Sequence, residues 1–535
     1  VIPWLLACTA AVGDSAPTGE LDADPPPAHT ALEPVALLRR LSLDLRGILP
    51  SQADQDRVQS DADQLAALRE NYLDDALFEE RLVVLFSEWF HTLIDAFPAG
   101  YRDFDLDPAQ EYAFERAVGE EPLRLMARVA AQDRPWSEIV TADWTLADPL
   151  LADLWPLDRD EGEGWLEARY TDLRPAAGVL STNGLWWRYT TNGSNKNRGR
   201  AAAMTRLLLC EDMLARPVAF EAGLALSDED GAEEAIRSEP SCQACHAALE
   251  PLAAGLFGFW WLGQYSALEM TSYHAEREPM ALEVLGVSPE FFGTPVQGLS
   301  ELGQAVAADP RFYRCAAERA AEALWRRPVT LEDFDRIEAY RQALMARASF
   351  QDLVRAITDD DLYRAGVAAP HEPDAPTRRL LGAERLHTVI RDLTGFSWTW
   401  DGYEMLRNDT LGHRILAGGV DGESVTQVLG EPGLTWALVV KRVAEAAANH
   451  TVEAELLAGD RDLFCCVSLD DEPGDEAFEE ELLNLHWRLF GQVPSADRLS
   501  ADVDLWQTIA SDHGTGFAWQ GLLSGLLRDP ALVTY

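Results

Sequence analysis

Apolar residues return every three or four positions through most of this chain, and that period leaves little room for anything but helix. From Ala31 to Phe97 the series runs Leu37, Leu38, Leu41 and Leu45, then Leu77, Leu82, Leu85, Phe86, Trp89 and Phe90. Alternation with period two is rare, so no large sheet is expected. Ser51-Gln52-Ala53-Asp54 and Thr330-Leu331-Glu332-Asp333 have the form of capping boxes, with Pro50 and Pro328 just ahead of them, where a helix has ended. The reading is a mainly α, multi-domain helical protein. At 535 residues the chain exceeds one ordinary core.

One punctuation recurs. Leu45-Arg46-Gly47-Ile48-Leu49-Pro50-Ser51, Trp325-Arg326-Arg327-Pro328-Val329-Thr330 and Trp487-Arg488-Leu489-Phe490-Gly491-Gln492-Val493-Pro494-Ser495 each close one helix and open another. They are read either as traces of duplicated modules or as ordinary helix-turn-helix joints. The boundaries expected are a tether over 1–33, a helical domain over 34–172, a central region over 173–300, a helical extension over 301–367 and a C-terminal helical domain over 368–535. The Pro- and acid-rich stretch from Ala368 to Pro376 reads as a linker. The Gly-, Asn- and Thr-rich stretch from Leu173 to Arg200 reads as loops that cover the central region.

Ninety acidic residues against 44 basic ones give a net charge of −46, which repels phosphate backbones and excludes nucleic acid as a partner. No apolar run is long enough for a membrane helix. Leu5-Leu6-Ala7-Cys8 resembles a bacterial lipobox, followed by a polar, Pro-rich tether. A lipid anchor on Cys8 is therefore the one membrane attachment expected, on a periplasmic or cell-envelope lipoprotein of a Gram-negative bacterium.

Seven cysteines are present. Cys242-Gln243-Ala244-Cys245-His246 has the spacing that attaches haem: two thiols add to the vinyl groups and the following imidazole faces the iron. Zinc wants four N or S ligands, and only His274 and Cys210 are spare nearby. A thioredoxin-like motif needs a βαβ pattern that is absent. The expected cofactor is one haem c, bound through Cys242 and Cys245 with His246 on the metal. In an oxidising compartment Cys210 and Cys315 can pair, while adjacent Cys465 and Cys466 are read as free thiols or a strained vicinal bridge. The Gly-rich loop from Ala417 to Gly422 has no Walker lysine and follows no strand, so it is not a phosphate loop.

The flanks of the motif, Ser241 to Leu252, resemble the haem segment of the planctomycete- and myxobacterial-type cytochrome c domain proteins, large exported proteins. Leu38-Arg39-Arg40-Leu41-Ser42-Leu43-Asp44-Leu45-Arg46-Gly47 is similar to their N-terminal helix, Asn197-Arg198-Gly199-Arg200 to the stretch before the haem box, and Asp309-Pro310-Arg311-Phe312-Tyr313-Arg314-Cys315 to the helix after it. The resemblance implies a single covalent haem. Two departures stand out: Glu250-Pro251-Leu252-Ala253 replaces a frequent Asp-Pro-x-Gly, and Ile236-Arg237 replaces a frequent His-Arg.

Met270, Met280 and His274 are the candidates for a sixth iron ligand, and a vacant position would admit peroxide or gases. Arg198 and Arg200 are candidate partners of haem propionates, or else helix-terminal surface charge. Phe257, Phe259, Trp260 and Trp261 either wall the haem or pack an ordinary core. The function expected is electron transfer with a redox partner protein or small electron carrier. The alternatives are a peroxidase- or oxidase-like haem enzyme with an open distal site, and a structural or surface-binding helical lipoprotein.

Overall fold

Helices dominate, as the apolar period requires. The structure, a computed structural model, describes residues 29–215, 229–260, 266–368 and 379–535. Strands appear only as short pieces: Thr145–Ala147, Leu166–Tyr170 and Leu157–Arg159 form an antiparallel sheet with the second in the middle, and His29–Ala31 pairs with Ala365–Ala368. Among the described residues no helix is long and apolar enough to cross a membrane. Cys8 and most of the stretch read as a linker lie outside the described residues.

Among the described residues two large apolar cores carry the molecule, with a small third cluster of Ala254, Phe257, Trp260 and Ala281. The first runs from Leu37 to Tyr363, so the lengths 34–172, 173–300 and 301–367 share one interior. The second is built from Leu380 to Val533, joined by Leu43 and Leu49 from the other end of the chain. The helix Pro34–Leu45 therefore serves both: Leu37, Leu38, Leu41 and Leu45 enter the first core and Leu43 the second.

With apolar residues on two sides, that helix has no exposed face, and its charges are buried as well. Arg39 donates to the carbonyls of Leu489 (2.6 Å) and Leu532 (2.8 Å). Arg40 donates to those of Tyr363 (2.6 Å) and Ala365 (2.8 Å). Asp44 accepts from Arg379 (2.7 Å), the Tyr363 hydroxyl (3.1 Å) and the Tyr535 hydroxyl (2.6 Å). The side chains of Asp44 and Arg379 are both 0 % exposed. Burial by itself would raise the Asp44 carboxyl, but Arg379 and Arg385 outweigh it and hold the group below the usual carboxylate range.

A second row of charge crosses the same seam. Arg116 reaches Glu120 (2.5 Å) on its own helix, Glu111–Ala131, and Glu384 (3.2 Å) beyond the seam. Arg407 reaches Glu384 (2.9 Å) and Glu404 (2.8 Å).

The three recurring joints share a build. Gly47, Arg326 and Gly491 take left-handed backbone conformations (φ 76°, 62° and 64°), and Ser51, Thr330 and Ser495 cap the helices that follow. At Gly491 a β-carbon would stand 2.9 Å from Val35 Cγ1 and 3.0 Å from Gln55 Oε1, so the third joint docks against the first.

The stretch from Leu173 to Arg200 departs from expectation. Instead of a covering loop, Ala177 to Trp187 is buried throughout, as the turn Gly178–Ser181 and the helix Asn183–Arg188. Its glycines serve close approach: a β-carbon would lie 2.2 Å from the Ile139 carbonyl oxygen at Gly178 and 2.1 Å from that of Val118 at Gly184. Cys210, at the end of the helix Arg198–Leu209, is bonded to Cys315 in the helix Pro310–Trp325, and Cys465 is bonded to Cys466.

Candidate functional site

Cys242, Cys245 and His246 lie in the first two turns of the helix Pro240–Ala254, which opens with proline at a position where no N–H is needed. The helix has two unlike halves. Leu249, Glu250, Leu252, Ala253 and Ala254 are buried and anchor it, while Ser241 to Ala248 are half-buried or exposed. At about 100° per residue, spacings of three and four bring Cys242, Cys245 and His246 within an arc of about 100° on one face.

Among the described residues, Cys242 and Cys245 are the only cysteines without a disulfide partner. Both are half-buried, and Cys245 Sγ packs 4.0 Å from the Met213 carbonyl oxygen.

His246 is held from one side. Its Nδ1 lies 2.8 Å from Glu250 Oε1, one helical turn on, and its side chain is 25 % exposed. The same oxygen accepts from Arg198 Nε at 2.6 Å. Arg198 also donates to Glu233 Oε1 (3.0 Å), which Lys196 reaches at 2.8 Å. Burial pushes the Glu250 carboxyl up, but hydrogen bonds from His246 and Arg198 outweigh it and hold the group below its ordinary value. Glu233 is brought to about 2 in the same way by Arg198 and Lys196. With Glu250 ionised, Nδ1 carries the proton. In the neutral ring the lone pair is then on Nε2, which has no partner among the described residues. The site thus offers two thiols and one oriented imidazole nitrogen on one helix face.

The other expected residues are placed apart from this group. Arg200 is 0 % exposed and donates to the carbonyls of Tyr189, Phe259 and Trp186 and to Asn197 Oδ1. It braces the loops around the helix Arg198–Leu209. Met270 is buried in the first core. Met280 packs with Ala254, Phe257 and Trp260 at the far end of the motif helix, about two turns and ~12 Å along the axis from His246. His274 spends Nδ1 on Glu276 (3.2 Å) and Nε2 on the Glu269 carbonyl (3.0 Å). Phe257, Phe259 and Trp260 are core residues, and Trp261 lies outside the described ones.

Glu250 as the partner of His246 was within reach of the sequence, since the two stand four apart on one helix. Glu233 was not: it comes from the separate helix Glu229–Ser238. No known family, curated protein or solved structure matches the chain.

Proposed function

We propose that the chain carries one haem c on Cys242 and Cys245, with His246 as the proximal ligand, and serves in electron transfer in the cell envelope. The observation that carries this reading is the selective freedom of two thiols. Four of the six described cysteines are bonded to each other, and the two left over share a helix face with an imidazole whose Nε2 is open. The residues fit the group: the thiols would form its thioether links and His246 Nε2 would face the iron, while Arg198 is bonded to Glu250 and Glu233 beside them. Bound haem supplies one-electron cycling between the ferrous and ferric states. This chain's residues hold the imidazole by Nδ1, fix its tautomer and keep its ring plane set. The segments similar to the planctomycete- and myxobacterial-type cytochrome c domain proteins support the same reading, as does a lipobox-like start that would tether the protein by Cys8. A redox protein or a small electron carrier is the partner such a group requires.

A haem enzyme is the second reading, and one observation favours it. An ionised Glu250 on Nδ1 gives His246 partial imidazolate character, which suits peroxide chemistry. The deciding experiment is expression with haem-attachment machinery. The expected result is a c-type pyridine haemochrome that survives denaturation and is lost in Cys242→Ser and Cys245→Ser. No covalent haem would overturn both readings and leave a structural lipoprotein. Carbon monoxide binding to the reduced protein would favour the enzyme.

A further inference from the structure

We propose a buried site for a small monovalent anion, of the chloride class, in the seam between the two cores, where the helix Ala383–Thr394 begins.

A cavity of about 30 Å³ lies there, room for one halide ion or one to two waters. Its wall includes Val84, Ser87 and Glu88 from the helix Ala76–Phe90, the first turn of Ala383–Thr394, and Arg414 and Gly419. The wall offers backbone donors. Gly382 caps the Ala383–Thr394 helix without a side chain, and the N–H groups of Ala383, Glu384 and Arg385 meet no acceptor among the described residues. The start of a twelve-residue helix also carries partial positive charge.

The second observation is independent of that helix end. Arg414 lines the cavity and is 3 % exposed, yet its Nε and Nη2 make no hydrogen bond; Nη1 donates to the Arg407 carbonyl (3.2 Å) and Nη2 stands 3.5 Å from Asp95. One turn before Val84, Arg81 is also 3 % exposed and none of its three nitrogens has a partner. Arg326, on the same seam, leaves Nε and Nη2 unpaired.

Charge and lining decide between an anion and water. Around the cavity the carboxylates Asp44, Glu88, Asp95 and Glu384 face Arg40, Arg81, Arg326, Arg379, Arg385 and Arg414, so cations are in excess. The carboxylates on the wall are each held by arginine: Glu88 by Arg326 (2.7 Å), and Glu384 by Arg116 (3.2 Å) and Arg407 (2.9 Å). Ser87 spends its hydroxyl on the Val84 carbonyl. Water needs acceptors as well as donors, whereas a halide needs donors alone. Entry is available from a larger cleft of about 230 Å³, which shares Glu88 and Val428 with the cavity and adds Arg319, Arg326 and Arg327. The Gly-rich loop, which is not a phosphate loop, supplies Gly419 and Val420 to the wall. The chamber is too small for an oxyanion of phosphate size.

The test uses the full chain and requires no haem. Thermal unfolding is followed in sodium chloride, bromide, sulfate and gluconate at one ionic strength. Crystals grown in bromide are measured at its absorption edge. The expected results are a saturable rise in melting temperature with chloride and bromide alone, and an anomalous peak between Ala383 and Arg414. Arg414→Met should weaken bromide about tenfold. Should that variant fail to fold, Val84→Ile, which fills the chamber, should abolish the halide effect while leaving the protein folded in gluconate. Equal effects of all four salts, or bromide peaks confined to the surface, would overturn the proposal.

Discussion

The helices Pro34–Leu45 and Pro240–Ala254 both begin with proline, and each carries a carboxylate pressed against arginine and a second polar partner. In the first, Asp44 is closed on every side by Arg379, Tyr363 and Tyr535, with nothing left for solvent or ligand. In the second, Glu250 holds His246 and Arg198 through one oxygen, its other oxygen lacks a partner, and the imidazole it orients keeps a free nitrogen. A charge network that closes on its carboxylate from every side is architecture. One that fixes a group and leaves its reactive atom open is a site in waiting. The cysteines divide the same way: Cys210 and Cys315 tie helices together, while Cys242 and Cys245 are unspent.

The comparison breaks most easily at its stiffest point. Asp44→Ala leaves Arg379 and its neighbours buried without a counter-charge and should cost about 3–5 kcal/mol in urea unfolding. Glu250→Ala should cost about 1 kcal/mol or less, because its partners reach water or Glu233. Equal losses would dissolve the distinction. Next in size, replacing Cys210 and Cys315 by serine opens a loop of 105 residues and should cost about 3–4 kcal/mol. Cys242→Ser with Cys245→Ser should change the stability of the haem-free protein by under about 0.5 kcal/mol. Iodoacetamide on the unreduced, haem-free protein should label Cys242 and Cys245 and spare Cys210, Cys315, Cys465 and Cys466, as read by peptide mass spectrometry.

Acid probes the seam. Asp44 and Glu384 sit below their ordinary values, and Glu120 is brought to about 2 by Arg116 and Arg124 against the opposing effect of burial. Depressed carboxylates contribute stability that is fully present above the unfolded values near 4 and is lost as pH falls through the folded ones. The two cores should therefore part between about pH 4 and 2, seen as a loss of near-ultraviolet circular dichroism before helix content falls. The smallest effect has the opposite sign. Burial, with Asp95 and Glu111 nearby, pushes Glu115 up to about 8. A raised carboxyl binds more protons folded than unfolded, so stability declines from about pH 4 to 8. Glu115→Gln should recover about 1 kcal/mol at pH 9, discounted for solvent screening, and nothing at pH 4.

The helical class, the caps at Ser51 and Thr330 and the face shared by Cys242, Cys245 and His246 were legible because each depends on residues within one or two turns. The burial of Arg39, Arg40 and Asp44 was not legible, since their partners lie hundreds of residues away. A hint was present: apart from Ser42, every position around that helix is either apolar or one of these charges, with no plain solvent face. Ala177 to Trp187 misled because Gly, Asn and Thr are the residues of loops and equally those of close backbone packing; only the opposing carbonyls of Val118 and Ile139 tell the two apart. Glu233 and Lys196 were invisible for the same reason of distance, although they complete the surroundings of His246.

The bond from Tyr535 to Asp44 spans 491 residues, and that from Arg39 to Leu532 spans 493. At about 5–20 residues per second, a ribosome needs on the order of 25–100 s to deliver the second partner after the first. For all that time the helix Pro34–Leu45 must keep its charges in water. The first core can gather as it emerges, but its lid cannot shut until synthesis has reached Leu532 and Tyr535. A nascent chain built this way stays loosely closed, and open to handling by other proteins, until synthesis has passed Tyr535.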